Sequence, residues 1–444
     1  MILQVTPTDI GGGAEAIARS LHEELTARGV VTRLAVGSLK VGGEGVTEIP
    51  RGAGASSRVE RLLARRGNPR AARLCRMLTE PGTLLDLICG HEDFRFPGSQ
   101  KLLELTPVPP DIVHLHNLHG GYFDLRILPT LAARVALIAT LHDAWMLTGH
   151  CAHPFDCTRW LESCGKCPYL RTYPGLRRDG TAFNLRRKRS LYAGMRLTVV
   201  TPSAWLMNMV ECSVLAPAAE RRYVIPNGVD LSTFYPGDRA AARRVVAVEG
   251  DIPLLLFAAQ GGRANEFKDF DTLREALARM GQIRQSPVQA VALGGKEGGV
   301  ERFGTVTLRI VPQVAPEVVA HWLRAADVYV HASRADTFPL GVLEALACGT
   351  PVVASRIGGI PEQVKVFGEC EDPTGLLVAT GDSRALEQAI AVLLDDPALR
   401  TTLGQNAARD ARVRFDGQKM VDSYVHVYEQ LVPQLVARAR GLPC

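Results

Sequence analysis

The feature that most constrains this chain is an alternation that runs through it twice. Short apolar runs of strand length are each followed by turn residues and then by a stretch of helical spacing. In the first round, strands are predicted at residues 2–5, 31–36, 111–116, 135–141 and 197–201, with the glycines Gly11, Gly12 and Gly13 opening a helix at 14–28. After Asn227 and Gly228 the pattern restarts. Strands are predicted at 254–258, 288–293, 328–331 and 351–354, with helices at 270–280, 340–347 and 385–394. Strands this apolar have no wet face, and the helices between them cover both sides of a parallel sheet. The prediction is therefore α/β: two doubly wound domains in tandem.

The chain has 444 residues, which suits two or three domains, and 46% of them are hydrophobic, enough for two cores. Turn residues cluster between 215 and 235 (Pro217, Pro226, Asn227, Gly228) and continue to Pro236 and Gly237. The expected division is an N-terminal domain at 1–222, a second domain at 223–415, and a tail at 416–444 whose helix, about 418–432, returns to the first domain. Doubly wound sheets bind ligands beyond the carboxyl ends of their strands. Two such domains facing across a cleft suit an enzyme that brings two substrates together.

Charge excludes little. Basic residues number 51 and acidic 46, a net charge of +5, and that balance gives no reason to expect a nucleic-acid partner. The basic residues are clustered, however. One group is Arg58, Arg61, Arg65, Arg66, Arg70, Arg73 and Arg76; the other is Arg177, Arg178, Arg186, Arg187, Lys188, Arg189 and Arg196. They read as solvated helix faces or as a contact with an anionic membrane surface or a phosphate-bearing acceptor. No apolar run approaches the ~20 residues that span a bilayer. Met-Ile-Leu-Gln-Val-Thr at the N-terminus reads as a first strand and not as a signal peptide. The expectation is a cytoplasmic protein, peripheral to the inner face of the membrane if the arginines meet lipid, with reduced cysteines unless they hold a metal.

Several residues could carry chemistry. Gly12 and Gly13 sit where a strand gives way to a helix, a place where backbone N–H groups meet phosphate, and a plain tight turn fits them equally. Arg263 and Lys268 follow the strand at 254–258 and could clamp a diphosphate, the first bidentately and the second as a point charge. In the segment from Ser333 to Pro351, Asp336 lies in a loop after a strand. Glu344 lies on an otherwise apolar helix, where a carboxylate needs a partner such as a sugar hydroxyl. His142 ends the strand at 135–141. Cys151, Cys157, Cys164 and Cys167 fall within seventeen residues, in an insert at 150–168 that also holds His150 and His153. Their spacing suits a structural zinc ion, two disulfides or plain reduced thiols.

Taken together, these motifs give a resemblance that covers nearly the whole chain. The chain resembles the retaining glycosyltransferases of family four, which have two Rossmann-like domains in the arrangement called GT-B. Arg263-x4-Lys268, Val224-Ile-Pro-Asn-Gly-Val-Asp230, Asp336-x7-Glu344, Gly349-Thr-Pro-Val-Val353 and Gly358-Gly-Ile-Pro-Glu362 each resemble one of its signatures. Leu141-His-Asp-Ala-Trp-Met-Leu-Thr-Gly149 resembles an exopolysaccharide- and capsule-building subgroup.

The resemblance implies transfer of a sugar from a nucleoside-diphosphate sugar, UDP- or GDP-linked, to a glycan or lipid-linked acceptor. It implies retention at the anomeric carbon and no cofactor for catalysis. It implies that Arg263 and Lys268 hold the diphosphate, Glu344 the ribose, and Asp336 and His142 the reacting sugar, while N–H groups near Leu340 and Gly341 meet phosphate. His114, His116 and His119 are expected at strand ends or on the acceptor side. Three departures stand out: Asp336 in place of Glu, Asp269 in place of Gly, and Thr337-Phe-Pro-Leu340 in place of Gly-Phe-Gly-Leu. They keep open a sugar-nucleotide-binding protein without activity; a sugar-nucleotide epimerase is the other rival.

Overall fold

The computed structural model describes every residue except 51–58, 60, 61, 64–67, 69, 70, 72–80, 249, 259, 260, 262–264 and 434–444. The described residues fall into two compact units, Met1–Ile225 with Val421–Cys444, and Pro226–Met420. The first group of arginines, Arg58 to Arg76, lies outside the described residues, as does Arg263.

The first unit runs β1 (Ile2–Thr8), α1 (Gly13–Ala27), β2 (Thr32–Ser38), β3 (Val46–Glu48), α2 (Pro81–Cys89), β4 (Ile112–Leu115), α3 (Leu128–Ala132), β5 (Ala136–Thr140), α4 (Thr181–Tyr192), β6 (Leu197–Thr201), α5 (Ala204–Glu211) and β7 (Ala219–Val224). Its seven strands stand in the order β3-β2-β1-β4-β5-β6-β7, and every neighbouring pair is parallel. Leu3, Val5, Val113, Leu115, Leu137 and Ala139 on one face and Ile2, Ile112 and Ile138 on the other are buried, so both faces of these central strands are dry.

The second unit runs α6 (Arg239–Val245), β8 (Leu254–Ala258), α7 (Phe270–Ile283), β9 (Val288–Gly295), β10 (Gly299–Phe303), β11 (Val306–Pro312), α8 (Pro316–Ala325), β12 (Val328–His331), α9 (Leu340–Ala347), β13 (Val352–Ser355), α10 (Ile360–Gln363), β14 (Gly375–Val378), α11 (Ser383–Asp395) and α12 (Pro397–Arg414). The order is β10-β11-β9-β8-β12-β13-β14, parallel except for the β10–β11 pair. In each sheet the strand order reverses beside the unit's first strand, between β1 and β4 and between β8 and β12. A crevice for ligand opens at such a point.

α13 (Gly417–Leu431) belongs to the first unit from Val421 on. There Tyr424 and Tyr428 are buried; the Tyr428 hydroxyl lies 2.7 Å from His114 Nδ1 and the Tyr424 hydroxyl 3.1 Å from Thr140 Oγ1.

Two differences from the sequence reading have physical causes. Residues 219–224, inside the stretch read as turn-rich, form the edge strand β7. Glu220, Arg221 and Arg222 are exposed there, so the strand lacks the apolar run that announces a buried one. In the second sheet the edge strand β10 forms a hairpin with β11, and its Glu301 and Arg302 hide it in the same way.

Candidate active site

The β8/β12 crevice brings charged residues together. Lys268 follows β8 and forms an isolated bridge with Ser333, just past β12. Its ammonium donates to the Asp336 carboxylate and lies 3.1 Å from His331 Nε2. His331 ends β12 and is hemmed in by Asp336 Oδ2 at 3.2 Å, Ser333 Oγ at 3.2 Å and, on its other nitrogen, the Tyr329 hydroxyl at 3.2 Å. Burial first, and the Lys268 cation second, lower His331 to about 4, so it is neutral near pH 7. Burial works against the Asp336 carboxylate, yet Lys268 and His331 together outweigh it and hold Asp336 well below the usual carboxylate range. Two residues expected to meet different parts of the donor are thus each other's partner. His331, the third member, was missed from the sequence because it reads as the last apolar step of a strand.

Asp269, a departure from the family pattern, has a local duty. It is 6% exposed and caps α7, accepting from Thr272 N at 3.3 Å. The Thr337–Pro339 loop is pinned on two sides: Asn227 Nδ2 donates to the Phe338 carbonyl at 3.1 Å and Gln363 Nε2 to that of Pro339 at 3.0 Å. Gly358, at φ +58°, lets the following loop lie on this one; a Cβ there would sit 1.7 Å from the Asp336 carbonyl oxygen. These contacts explain two of the sequence motifs as supports of the Asp336 loop.

Leu340 and Gly341 open α9, whose N-cap Pro339 has no side-chain donor or acceptor for the first turn. A helix start in that state attracts anions. Gly341 is also a packing requirement, since a Cβ would fall 2.5 Å from the Tyr329 hydroxyl. Glu344 lies on the next turn, half-buried, and accepts no hydrogen bond among the described residues. Burial alone raises its carboxyl to about 7. A half-buried carboxyl with no protein partner is available to a ligand hydroxyl.

In the first unit, Gly12 is the N-cap of α1, and its N–H donates to Glu15 Oε2 at 2.8 Å. The glycine turn thus carries its own carboxylate, and any anion there competes with Glu15. Beside it, the strand ends carry a row of imidazoles. His116 Nδ1 lies 3.1 Å from His142 Nε2, and the His114 ring centroid is 4.4 Å from that of His116, the rings tilted by 34°. Burial lowers His142 to about 4 and His114 to about 3, and pushes His116 well below its ordinary value, so the row is neutral at pH 7. His119 is the exception. Burial opposes its charge, but Asp143, 2.6 Å away, raises its pKa on balance. Asp143 also accepts from Trp145 N at 2.8 Å, fixing the turn after His142.

The second basic group is not one face. Arg177, Arg178, Arg186, Arg189 and Arg196 are exposed, but Arg187 lies over Phe94, 3.7 Å from the ring centroid, and the Lys188 side chain is 0% exposed. For Lys188 the reading as a solvated cation is wrong. Its ammonium donates to Glu92 Oε1 at 3.2 Å and to the Trp145 and Thr148 carbonyls at 2.7 and 3.0 Å, and sits 3.8 Å from the Trp145 ring centroid.

Cys151, Cys157, Cys164 and Cys167 all line one small cavity beyond this lysine, together with His150 and Trp160. Burial pushes the Cys164 thiol up to about 11. Among the described residues no helix is long and apolar enough to cross a membrane.

Comparison with known proteins fits this picture. A family model described as Glycosyltransferase Family 4 matches residues 11–233, and one described as Glycosyl transferases group 1 matches residues 239–410. The D-inositol 3-phosphate glycosyltransferase of Kineococcus radiotolerans is 37% identical over 239 residues, 50% of this chain and 54% of that protein. The chain thus spans about half the length of this relative. The putative colanic acid biosynthesis glycosyl transferase WcaC of Escherichia coli is 24% identical over 453 residues, 97% of this chain and 100% of its own. Among solved structures, sucrose-phosphate synthase from Thermosynechococcus elongatus aligns with a TM-score of 0.64 at 20% identity, covering 98% of this chain and 99% of the other. Anabaena Alr3699/HepE in complex with UDP-glucose aligns with a TM-score of 0.61 at 19% identity, covering 97% and 99%. The fold is that of the GT-B glycosyltransferases.

Proposed function

Because this chain belongs to glycosyltransferase family 4, we propose that it moves a sugar from a UDP- or GDP-sugar to a glycan or lipid-linked acceptor, with retention at the anomeric carbon, in polysaccharide or glycoconjugate synthesis. The observation that carries this reading is the Lys268–Asp336–His331 group at the β8/β12 crevice. A diphosphate arriving there takes up the Lys268 ammonium, and the anionic charge that grows as the glycosidic bond breaks meets a cation already in place. The open start of α9 at Leu340 and Gly341 adds N–H donors, and the spacing of Arg263 from Lys268 in the sequence makes it the candidate second cation of the clamp. Glu344, once ionised, accepts from the ribose hydroxyls. Freed from Lys268, the Asp336 carboxylate faces the sugar.

His142 meets the transferring sugar. An imidazole that is neutral at pH 7 can donate one hydrogen bond to a sugar hydroxyl without adding charge. No metal enters the transfer step; the cysteine-rich insert is structural. The exposed Arg177, Arg178, Arg186 and Arg189 support a peripheral contact with anionic lipid at the inner face of the membrane, where a lipid-linked acceptor resides.

The test begins with the donor. A thermal-shift screen against UDP-, GDP-, ADP- and dTDP-sugars identifies the nucleotide, since a ligand that binds only the folded state raises its melting temperature. Turnover of that donor with and without acceptor follows. If Arg263→Ala and Lys268→Ala both bind and turn over donor like the wild type, the assignment of the crevice is wrong.

A further inference from the structure

We propose that the cavity under the cysteine-rich insert is a structural zinc site, built on His150 Nε2, Cys151 Sγ and Cys167 Sγ and closed by a third thiolate from Cys157 or Cys164. The geometry starts with those three donors, which lie within 4.8 Å of one another. His150 Nε2 is 3.3 Å from the Cys167 sulfur and 3.5 Å from that of Cys151. The other ring nitrogen, Nδ1, lies 3.2 Å from the Pro174 carbonyl oxygen. That contact places the ring proton on Nδ1 and leaves the Nε2 lone pair aimed at the sulfurs. It is the arrangement a metal-bound imidazole takes, with its second nitrogen held by a carbonyl.

The cavity supplies the rest of a tetrahedral set, since Cys157 and Cys164 line the same walls. The Cys164-Gly-Lys-Cys167 turn is bent in a way its residues resist: Cys164 has φ +55° and Lys166 φ +46°. Two non-glycine residues in that region, two positions apart, persist only where their surroundings hold them. Three thiolates and one imidazole suit zinc, and four protein ligands leave no open position for catalysis. Each thiol releases its proton as the metal binds.

The site has a mechanical consequence. Thr148 Oγ1 donates to the Cys151 carbonyl at 2.8 Å, Ala144 N to that of Ala152 at 2.8 Å, and Cys167 N to Asp179 at 2.7 Å. The insert is therefore laced to the turn that follows His142 and to the start of α4. Zinc at its centre would fix that turn without touching substrate.

The experiment uses the full-length protein purified without a histidine tag. Elemental analysis should find about one zinc per chain. Replacement of the metal by cobalt(II) should give the visible and near-ultraviolet bands of a tetrahedral, thiolate-bound ion, and this reading needs no variant to fold. His150→Ala, Cys151→Ser and Cys167→Ser should each lose most of the zinc, and a strong chelator should lower the melting temperature of the wild type. Cys157→Ser and Cys164→Ser made separately identify the third thiolate by which one loses zinc. Zinc-free wild-type protein whose melting temperature ignores chelator would overturn the proposal. So would an intact mass lowered by the hydrogens of a disulfide between these cysteines. Zinc retained in full by His150→Ala would overturn the histidine ligand.

Discussion

Two lysine–carboxylate pairs, Lys188–Glu92 in the first unit and Lys268–Asp336 in the second, use the same chemistry to opposite ends. Lys188 is shut away at 0% exposure, with its three donors taken by Glu92 and two carbonyls and a tryptophan ring beneath it. Lys268 and Asp336 keep 14% and 16% of their side chains accessible, and their third neighbour is a neutral histidine. The lysine of the first pair has no donor to spare, and nothing can take it up without breaking a bond already made. In the proposed function, the second is a cation whose partner is exchanged for an incoming diphosphate. What separates a structural ion pair from a working one here is whether the donors are used up, and not the residue types.

The largest effect should come from breaking the closed pair. Lys188→Ala strands the Glu92 carboxylate in the interior, and losing one partner of a buried pair costs about 3–5 kcal/mol. Urea unfolding measures it. Lys188→Ala together with Glu92→Ala should recover part of that loss, because the stranded charge goes too. A single variant as stable as the wild type would dissolve the distinction.

Breaking the open pair should show in rate more than in stability. Lys268→Ala should reduce turnover roughly 100- to 1000-fold, the cost of one lost donor to a developing anion elsewhere. It should cost less stability than Lys188→Ala, because the Lys268 and Asp336 side chains keep 14% and 16% of their surface and water can reach the carboxylate left behind. Steady-state kinetics beside the same urea experiment separates the two.

How much of this was legible in the sequence divides along the same line. Lys268 and Asp336 are visible because each follows a strand in a recognisable spacing. The Lys188–Glu92 pair is not: 96 positions separate its members, and Lys188 hides in a run of arginines that reads as solvent-facing. Periodicity reports on the element a residue belongs to, and α4 buries Lys188 only because Trp145 and Glu92 arrive from elsewhere in the chain. The buried strands were legible for the converse reason. Residues 197–201, 254–258 and 328–331 are apolar on both faces and form β6, β8 and β12 at those bounds, whereas the edge strands β7 and β10, half exposed, carry charges that mask them. His150 as a metal donor was legible only as a neighbour of the cysteines, since what singles it out is the Pro174 carbonyl behind its ring.

Glu344 sharpens the comparison by pH. Its carboxyl is raised from 4.5 to about 7 in the folded protein. Between those values the folded state keeps a proton that the unfolded chain has released, so this group's contribution to stability falls as pH rises through that window. Glu344→Gln should flatten that slope. Donor affinity should move the other way in the wild type, strengthening as Glu344 ionises. The same variant should raise KM more than it lowers kcat, because the ribose changes little in the transition state. A pH-independent KM in the wild type would sever Glu344 from the donor.

The smallest effect belongs to the histidine row. His142→Ala removes about one hydrogen bond, roughly tenfold in transfer, and should leave nucleotide binding unchanged. With His142 lowered to about 4, the contribution should stay flat from pH 6 to 8. A step in that range would mean that His142 changes charge in the reaction.

The most direct test of the open pair is calorimetric titration of the nucleoside diphosphate, identified by the thermal screen, into the wild type, Lys268→Ala and His142→Ala. A charge-assisted hydrogen bond is worth about 1.5–3 kcal/mol, so the Lys268 variant should bind roughly 10- to 150-fold more weakly, while the His142 variant binds like the wild type. Equal affinity for all three would show that Lys268, like Lys188, is committed to its carboxylate, and the account of the crevice would fail.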